Sequence, residues 1–346
     1  MSIAATAPDK PVPAWPVIWF LLAVHVVALS ALLPATFSWA AVGVALFLHW
    51  LTGGVGITLG YHRLITHRSF QTPKWIEYIL LFCGTLSCQS PLDWVAKHRM
   101  HHQHSDTDQD PHDINRGFWW SHAGWILHRL PCDRHIARFT KDIARDPVYR
   151  FLDRSMLLWQ IALGLLLYLL GGWPFVVWGI FVRLVVVYHC TWFVNSATHR
   201  FGYQSYPTRD RSTNCWWVAL LTYGEGWHNN HHAFPRSARQ GLRWWEVDMT
   251  WWMVRVLEFL GLARRINLPS ATDQAAARRT QLPSFGSCAS SEVRDGGLDG
   301  SCSEAPVPRN LRARPNRGSA GDYAARYGPG GAFIDRNVSA APGNQT

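Results

Sequence analysis

The stretch Trp39–Phe70, WAAVGVALFLHWLTGGVGITLGYHRLITHRSF, joins the two features on which the fold turns. Its first part, Trp39–Leu59, is uncharged and falls within the roughly 17–25 residues that a membrane-crossing helix needs. Its second part opens at once on His62 and His67, a histidine pair placed where the apolar run ends. Working outward, Pro16–Pro34 is a second uncharged run, separated from the first only by Ala35–Ser38, so the two read as a helical hairpin. Met156–Leu170 and Pro174–Ser196, joined by Gly171–Trp173, read as another. The expected fold class is therefore all-α: an integral membrane protein with four transmembrane helices in two hairpins. A helical cap over 60–155 and 197–268 is expected to carry a histidine-box di-metal site.

Composition agrees with that setting. The chain of 346 residues contains 20 Trp, 16 Phe and 10 Tyr against only 16% charged residues, a membrane-like profile. A net charge of +10 would suit nucleic acid, but no recognition motif accompanies it, and cationic loops beside a membrane explain it. The seven cysteines form no CxxC pair and are odd in number, which argues against a disulfide framework or a cysteine zinc site and for a reducing, cytosol-facing environment. Neither tight hairpin connection is charged, whereas Tyr61–Lys74, Lys97–Arg154 and the chain after His199 are dense in Arg and Lys. The positive-inside bias then places both termini in the cytosol. Trp15, Trp19, Trp39 and Trp173 fall near span ends, where indole favours the interface.

Smaller expectations follow from the same pass. Met1–Pro13 lacks the small-residue cleavage pattern of a removable signal, so residues 1–15 read as a cytosolic segment before a membrane domain over 16–268. Ile76–Cys88 is too short to span and reads as an interfacial or buried helix. Leu242–Leu262, with Trp244, Trp245, Trp251 and Trp252 among charges, reads as an amphipathic helix lying in the membrane plane. From 269 to 346 no Trp occurs and Gly, Pro, Ser, Ala and Arg dominate, a composition expected to remain disordered. Arg183, inside the fourth span, would cost ~2.5–3.5 kcal/mol at mid-membrane and is expected to pair or snorkel. His25 and His49 are expected to be packed, neutral histidines.

The histidines carry the chemistry. Of 17, nine fall in four clusters at predicted span ends or in the loops. They are His62 and His67; His98, His101 and His102 within Trp94–Asp113, WVAKHRMHHQHSDTDQDPHD; His199; and His228, His231 and His232. On a helix of about 100° per residue, positions i, i+3 and i+4 lie on one face but point about 100° apart at their extremes, so each HxxHH triplet can serve two neighbouring ions. Imidazole suits Fe, Zn, Cu and Ni alike, so the residue type does not choose the metal. Nine ligands exceed what a single tetrahedral or octahedral ion accepts, which implies two. Two divalent ions among neutral imidazoles leave about +4, and metal-bound histidine commonly donates its other N–H to a carboxylate. Asp93, Asp106, Asp108, Asp110, Asp113 and Glu225 lie close enough in sequence to supply such partners. Counting back from His62 at 100° per residue, Thr58, Val55, Gly54 and Leu51 form a narrow strip, with Trp50 at its end. That strip could hold a long apolar substrate; the alternative is close helix packing at Gly53, Gly54 and Gly56.

At these residues the chain resembles the membrane-bound fatty acyl desaturases, specifically the Δ9, stearoyl-type group with its bacterial and cyanobacterial members. The matching elements are GYHRLITHRSF, KHRMHHQHSDTDQDPHD, INRGFWWSHAGW, TWFVNSATHRFG and GEGWHNNHHAFP, in that order. The resemblance implies a di-iron centre with the nine histidines as ligands and Asn195 reaching a metal through water. It further implies O2 as co-substrate and a cis double bond, at Δ9, in a saturated acyl chain carried on CoA, a carrier protein or a lipid. No His-Pro-Gly-Gly haem-domain motif occurs, so electrons are expected from a separate carrier such as ferredoxin. The membrane would be a bacterial inner or thylakoid-type membrane. Two other readings compete: a related histidine-box hydroxylase or ketolase acting on alkanes, sterols or carotenoids, and a non-catalytic metal transporter. The spacings HRLITH and NSATH argue against the first, and ligands at span ends rather than mid-membrane against the second.

Overall fold

A computed structural model of the chain describes residues 9–279. Helix α1, Trp15–Ala28, starts with Pro16 in its first turn, where a missing N–H costs nothing, and runs on as a tighter turn to Leu32. Ser38 caps α2, Trp39–Thr66, by accepting from the Ala41 amide at 3.4 Å. Up to His49 this helix is α-wound; from Trp50 to Thr66 it widens to π winding, in which residues five apart are one turn apart.

Among the described residues, three stretches are long and apolar enough to cross a membrane: Trp15–Leu32, Trp39–Thr66 and Pro147–His199. The third has 53 residues and as a straight helix would measure about 80 Å, far more than a bilayer core. It is broken at Gly171 (φ −154°, ψ 17°) and Gly172 (φ 65°, ψ −156°), the latter a conformation open only to glycine. Its limbs, α5 (147–170) and α6 (173–199), lie side by side: Arg183 Nη2 donates to Gln160 Oε1 at 3.1 Å, and a Cβ on Gly179 would sit 2.6 Å from Leu167. Arg183 is buried and also donates to the Leu86 and Gly179 carbonyls at 2.7 and 3.0 Å, so it pairs rather than snorkels.

The remaining residues form a polar half around the end of α2. Helix α3, Lys74–Thr85, covers the stretch expected to be buried or interfacial, and it packs so closely that a Cβ on Gly56 would lie 2.2 Å from the Gly84 nitrogen. Helix α4, Pro91–His104, follows. Short helices α7, Trp216–Leu221, and α8, His228–Ala233, precede α9, Met249–Phe259. Trp244 and Trp245 lie before α9 rather than in it, because Asp248 caps the helix by accepting from the Trp251 amide at 2.9 Å. Within α9, Thr250 and Val254 are buried while Trp252, Val256 and Phe259 are exposed, the amphipathic division expected of it. The stretch expected to lack structure opens with helix α10, Ala271–Arg279, held by Tyr206 Oη to Gln274 at 3.2 Å; residues 280–346 lie outside the described residues.

Candidate metal centre

Ser90 starts α4 by accepting from the Asp93 amide at 3.0 Å, and Pro91 occupies the first turn. That start brings His98, His101 and His102 into the last two turns. His98 and His102, four apart, face one way, and His101 faces another. In α8 the division is reversed: His228 and His232 share a face, and His231 looks elsewhere. The result is two groups whose ligand nitrogens lie within 4.8 Å of one another: His62, His67, His98, His102 and His231 in one, His101, His199, His228 and His232 in the other. The π winding at the end of α2 explains the wider spacing of the first pair, for His62 and His67 are five apart and their rings meet at 4.7 Å.

Within each group the nitrogen that faces inward is Nε2. In the five-histidine group His67 and His98 approach at 3.0 Å, His98 and His102 at 3.1 Å, His102 and His231 at 2.8 Å, and His62 and His231 at 3.2 Å. In the four-histidine group the Nε2 separations are 3.3 Å for His101 and His232, 3.0 Å for His232 and His228, and 3.2 Å for His228 and His199. The Nδ1 atoms point outward to acceptors. Asp110 Oδ2 lies 2.8 Å from His101, Asp106 Oδ1 3.0 Å from His199, Asp210 Oδ2 2.7 Å from His232, and Glu225 Oε2 2.5 Å from His62. A carboxylate accepts only, so each of these Nδ1 atoms carries the proton and each Nε2 presents a lone pair to the centre of its group. Nε2 atoms gathered this closely suit a cation at the centre of each group. The donor set therefore fits two metal ions, one per group.

Burial drives His98, His102, His228 and His231 well below the ordinary imidazole range, and neighbouring imidazoles add to it, so these rings stay neutral. Burial works to raise the Asp106 carboxyl, yet its hydrogen bond to His199 and the Arg211 amide hold it down to about 2. Asp110 and Asp210 lie below the carboxylate range against the same burial, held by His101 and His112 and by His232 respectively.

Of the carboxylates expected to support the ligands, Asp106, Asp110 and Glu225 stand against histidine Nδ1 atoms. Asp93 does not: it forms an ion pair with Lys97 at 3.0 Å, because it and His98 are five apart on an α-wound helix and face differently. Asp108 is exposed, and Asp113 caps a turn by accepting from the Asn115 amide at 2.9 Å.

An apolar cavity runs from the metal groups into the helices. Its walls include His62, Trp94, His98, Asn195, Glu225 and His228 at one end, and His49, Gly53, Ile57, Val187, Leu221 and Tyr223 further along. Trp94 stacks on His98 with ring centroids 5.1 Å apart. Of the strip expected to line a substrate tunnel, Thr58 is in this wall, but Trp50, Leu51, Gly54 and Val55 are not. Trp50 is 41% exposed, Leu51 and Val55 pack into hydrophobic clusters, and Gly54 lies against the Trp50 and Tyr223 rings. The strip was counted at α pitch, and the π winding turns His49, Gly53 and Ile57 to that face instead. His49 is packed as expected, and His25 meets His189 at 3.1 Å.

A family model described as fatty acid desaturase matches residues 37–265. The chain belongs to the fatty acid desaturase family. It is 64% identical over 269 residues to the sn-1 stearoyl-lipid 9-desaturase of Anabaena variabilis, covering 78% of this chain and 98% of that protein. To the Synechocystis protein of the same name it is 59% identical, over 80% of this chain and 87% of the relative. To the sn-2 palmitoyl-lipid 9-desaturase of a Nostoc strain it is 49% identical, over 77% of this chain and 95% of the relative. The chain is thus an oxidoreductase acting in lipid metabolism, a desaturase rather than a hydroxylase, ketolase or transporter.

Several residues of this desaturase's site escaped the sequence reading. Asp210 is 22 positions from His232 and carries no local signal. Gln240 places its amide 3.3 Å from His231 Nδ1 and donates to Glu225 at 3.0 Å. Arg63 could have been noticed beside His62: fully buried, it donates to Glu225 from Nε at 3.1 Å and to Asp248 from Nη1 at 3.0 Å. His112 packs on His101 at 4.2 Å, and burial pushes its imidazole down to about 3.

Proposed function

We propose that this desaturase holds two iron ions, one in each histidine group, and introduces a cis double bond between carbons 9 and 10 of a saturated acyl chain borne by a membrane glycerolipid. The observation that carries the reading is the convergence of nine Nε2 atoms in a five-plus-four arrangement beside an apolar cavity. The names of the relatives, stearoyl-lipid and palmitoyl-lipid 9-desaturases, support the lipid-linked substrate and the position.

Iron bound there would supply what no side chain can, the reduction of O2 and the removal of hydrogen from unactivated methylenes. In balance, O2, two electrons, two protons and the two hydrogens lost from adjacent carbons give two waters and the alkene. The protein's own residues position. Carboxylates on Nδ1 fix ring orientation and keep Nε2 free. Asn195 lines the same cavity and would reach a metal through water. Ile57, Val187 and Leu221 exclude water from the acyl chain, and Gly53 leaves it room between His49 and Tyr223. The four limbs α1, α2, α5 and α6 cross the membrane as two hairpins, about 16–34 with 39–59 and 156–170 with 174–196. The polar half caps them on the cytosolic side, and both termini are cytosolic, in a bacterial inner or thylakoid-type membrane. A separate ferredoxin-like carrier supplies electrons.

Expression in a host lacking its own Δ9 desaturase tests the reading. The expected result is a 9-position double bond appearing first in glycerolipid, with two irons per purified chain. Oxygenated product, or unsaturation confined to the acyl-CoA pool, would overturn it. Gly53→Leu should shift product toward shorter acyl chains; unchanged chain lengths would show that the acyl chain lies elsewhere.

A further inference from the structure

The two metal positions differ in what stands behind their ligands. In the four-histidine group three of the Nδ1 atoms, those of His101, His199 and His232, face carboxylates at 2.8, 3.0 and 2.7 Å. In the five-histidine group, among the described residues, only His62 does, and its partner Glu225 is itself paired with Arg63 Nη2 at 3.1 Å. Of the other four, His231 Nδ1 faces the neutral Gln240 amide, and His67 Nδ1 has no hydrogen-bond partner among the described residues. Fewer ligands with more negative charge stand on one side, and more ligands with little net charge on the other.

Asp210 is the carboxylate that the local sequence does not account for, and its loop is built to present it. Its Oδ1 accepts from the Ser212 amide at 3.0 Å, leaving Oδ2 for His232. The next residue, Arg211, donates its amide to Asp106 at 2.6 Å and its Nη1 to Asn115 at 3.1 Å, tying this loop to the one that follows α4. A single strap thus aims two of the three carboxylates, Asp106 and Asp210, at different ligands of the same group.

We propose that Asp210 is a positioning residue for the four-histidine metal position alone, holding His232 in the tautomer and orientation that ligate, and that this makes the two positions unequal in how they hold iron. Loss of such a carboxylate partner typically lowers metal affinity about 10–100-fold. In Asp210→Asn the amide can keep its oxygen on the Ser212 N–H, which leaves its NH2 facing the Nδ1–H of His232, donor against donor.

The inference rests on the two-iron reading, and the test separates the two. Full-length wild type, D210N, H199A and S212A are purified with 57Fe, titrated with a chelator, and followed by iron content and Mössbauer spectroscopy. S212A removes a hydroxyl that lies against Thr208 and Asp210 but keeps the Asp210 carboxylate and the Ser212 N–H that holds it. Wild type with fewer than two irons would sink the two-iron reading itself. With two irons in wild type, D210N is expected to release one at a chelator concentration about 10–100-fold lower. The signal it loses should be the one missing from H199A, while S212A keeps both. D210N retaining both irons with an unchanged spectrum, or releasing them in step, would overturn the role of Asp210.

Discussion

Leu169, on the α5 limb, is 74% exposed, whereas Arg63, at the end of α2, is 1% exposed. That inversion runs through the molecule. The outer faces of the apolar limbs carry Leu22, Val26, Leu165 and Leu169, while the polar half buries Glu225, Asp110, Asn230 and Asp248. In water such a distribution would be costly on both counts. In a bilayer the first cost vanishes, because hydrocarbon surrounds the exposed leucines. The second is met by pairing: Arg63 meets two carboxylates and the Ala238 carbonyl, and Asn230 donates to the Gln240 carbonyl and Glu246. The apolar limbs thus depend on their surroundings, and the polar half on the completeness of its internal network and the ions it is built to hold.

The sharpest way to break this contrast is at a ligand. His231→Ala removes a nitrogen that approaches His62 and His102 at 3.2 and 2.8 Å; unsaturated product should fall to the host background and bound iron by one per chain. Full activity in that variant would end the assignment. Next in size, Arg63→Ala strands Glu225 and Asp248 as buried charges and should cost about 3–5 kcal/mol, read as a lowered unfolding midpoint in detergent. Gly56→Ala forces a methyl to within 2.2 Å of the Gly84 nitrogen and should destabilise by about 1–3 kcal/mol through helix separation.

Acid sharpens the comparison without a mutation. The folded imidazoles of His98, His102, His228 and His231 refuse protons that the unfolded chain accepts below its ordinary value of about 6.5. Stability of the metal-stripped protein is therefore greatest above that value and declines as pH falls through it. Asp106, held down to about 2, adds a further loss below about 4 as the unfolded carboxyl takes up its proton first. Melting temperatures of stripped protein at about pH 7.5 and 5.5 should differ in that direction, and a flat profile would contradict it. Smallest of all, Leu169→Ala on the exposed limb should change stability by less than about 0.5 kcal/mol, since lipid replaces the contacts of the lost methyls.

Legibility followed distance along the chain. The nine histidines were readable as candidates because the HxxHH triplets repeat and i, i+3 and i+4 positions are fixed by helix geometry before any tertiary contact forms, whereas the group each ring joins was not. Asp106, Asp110 and Glu225 were readable as near neighbours of ligands, and Asp93 misled because nearness in sequence does not ensure a shared face. The cavity wall was misphased because nothing in WLTGGVGITLG announces π winding.

The amino-acid sequence alone determined that the chain is helical, that it carries membrane-length apolar runs, and that its clustered imidazoles outnumber the ligands of a single ion. Each of these follows from composition and from the period of a single helix. Only the tertiary structure decided which carboxylates stand behind which rings, that Arg63 and Asp210 belong to the site, and that His49, Gly53 and Ile57 rather than Leu51, Gly54 and Val55 face the cavity. Those outcomes depend on groups far apart in the chain, whose meeting is set by how helices pack and not by any local preference.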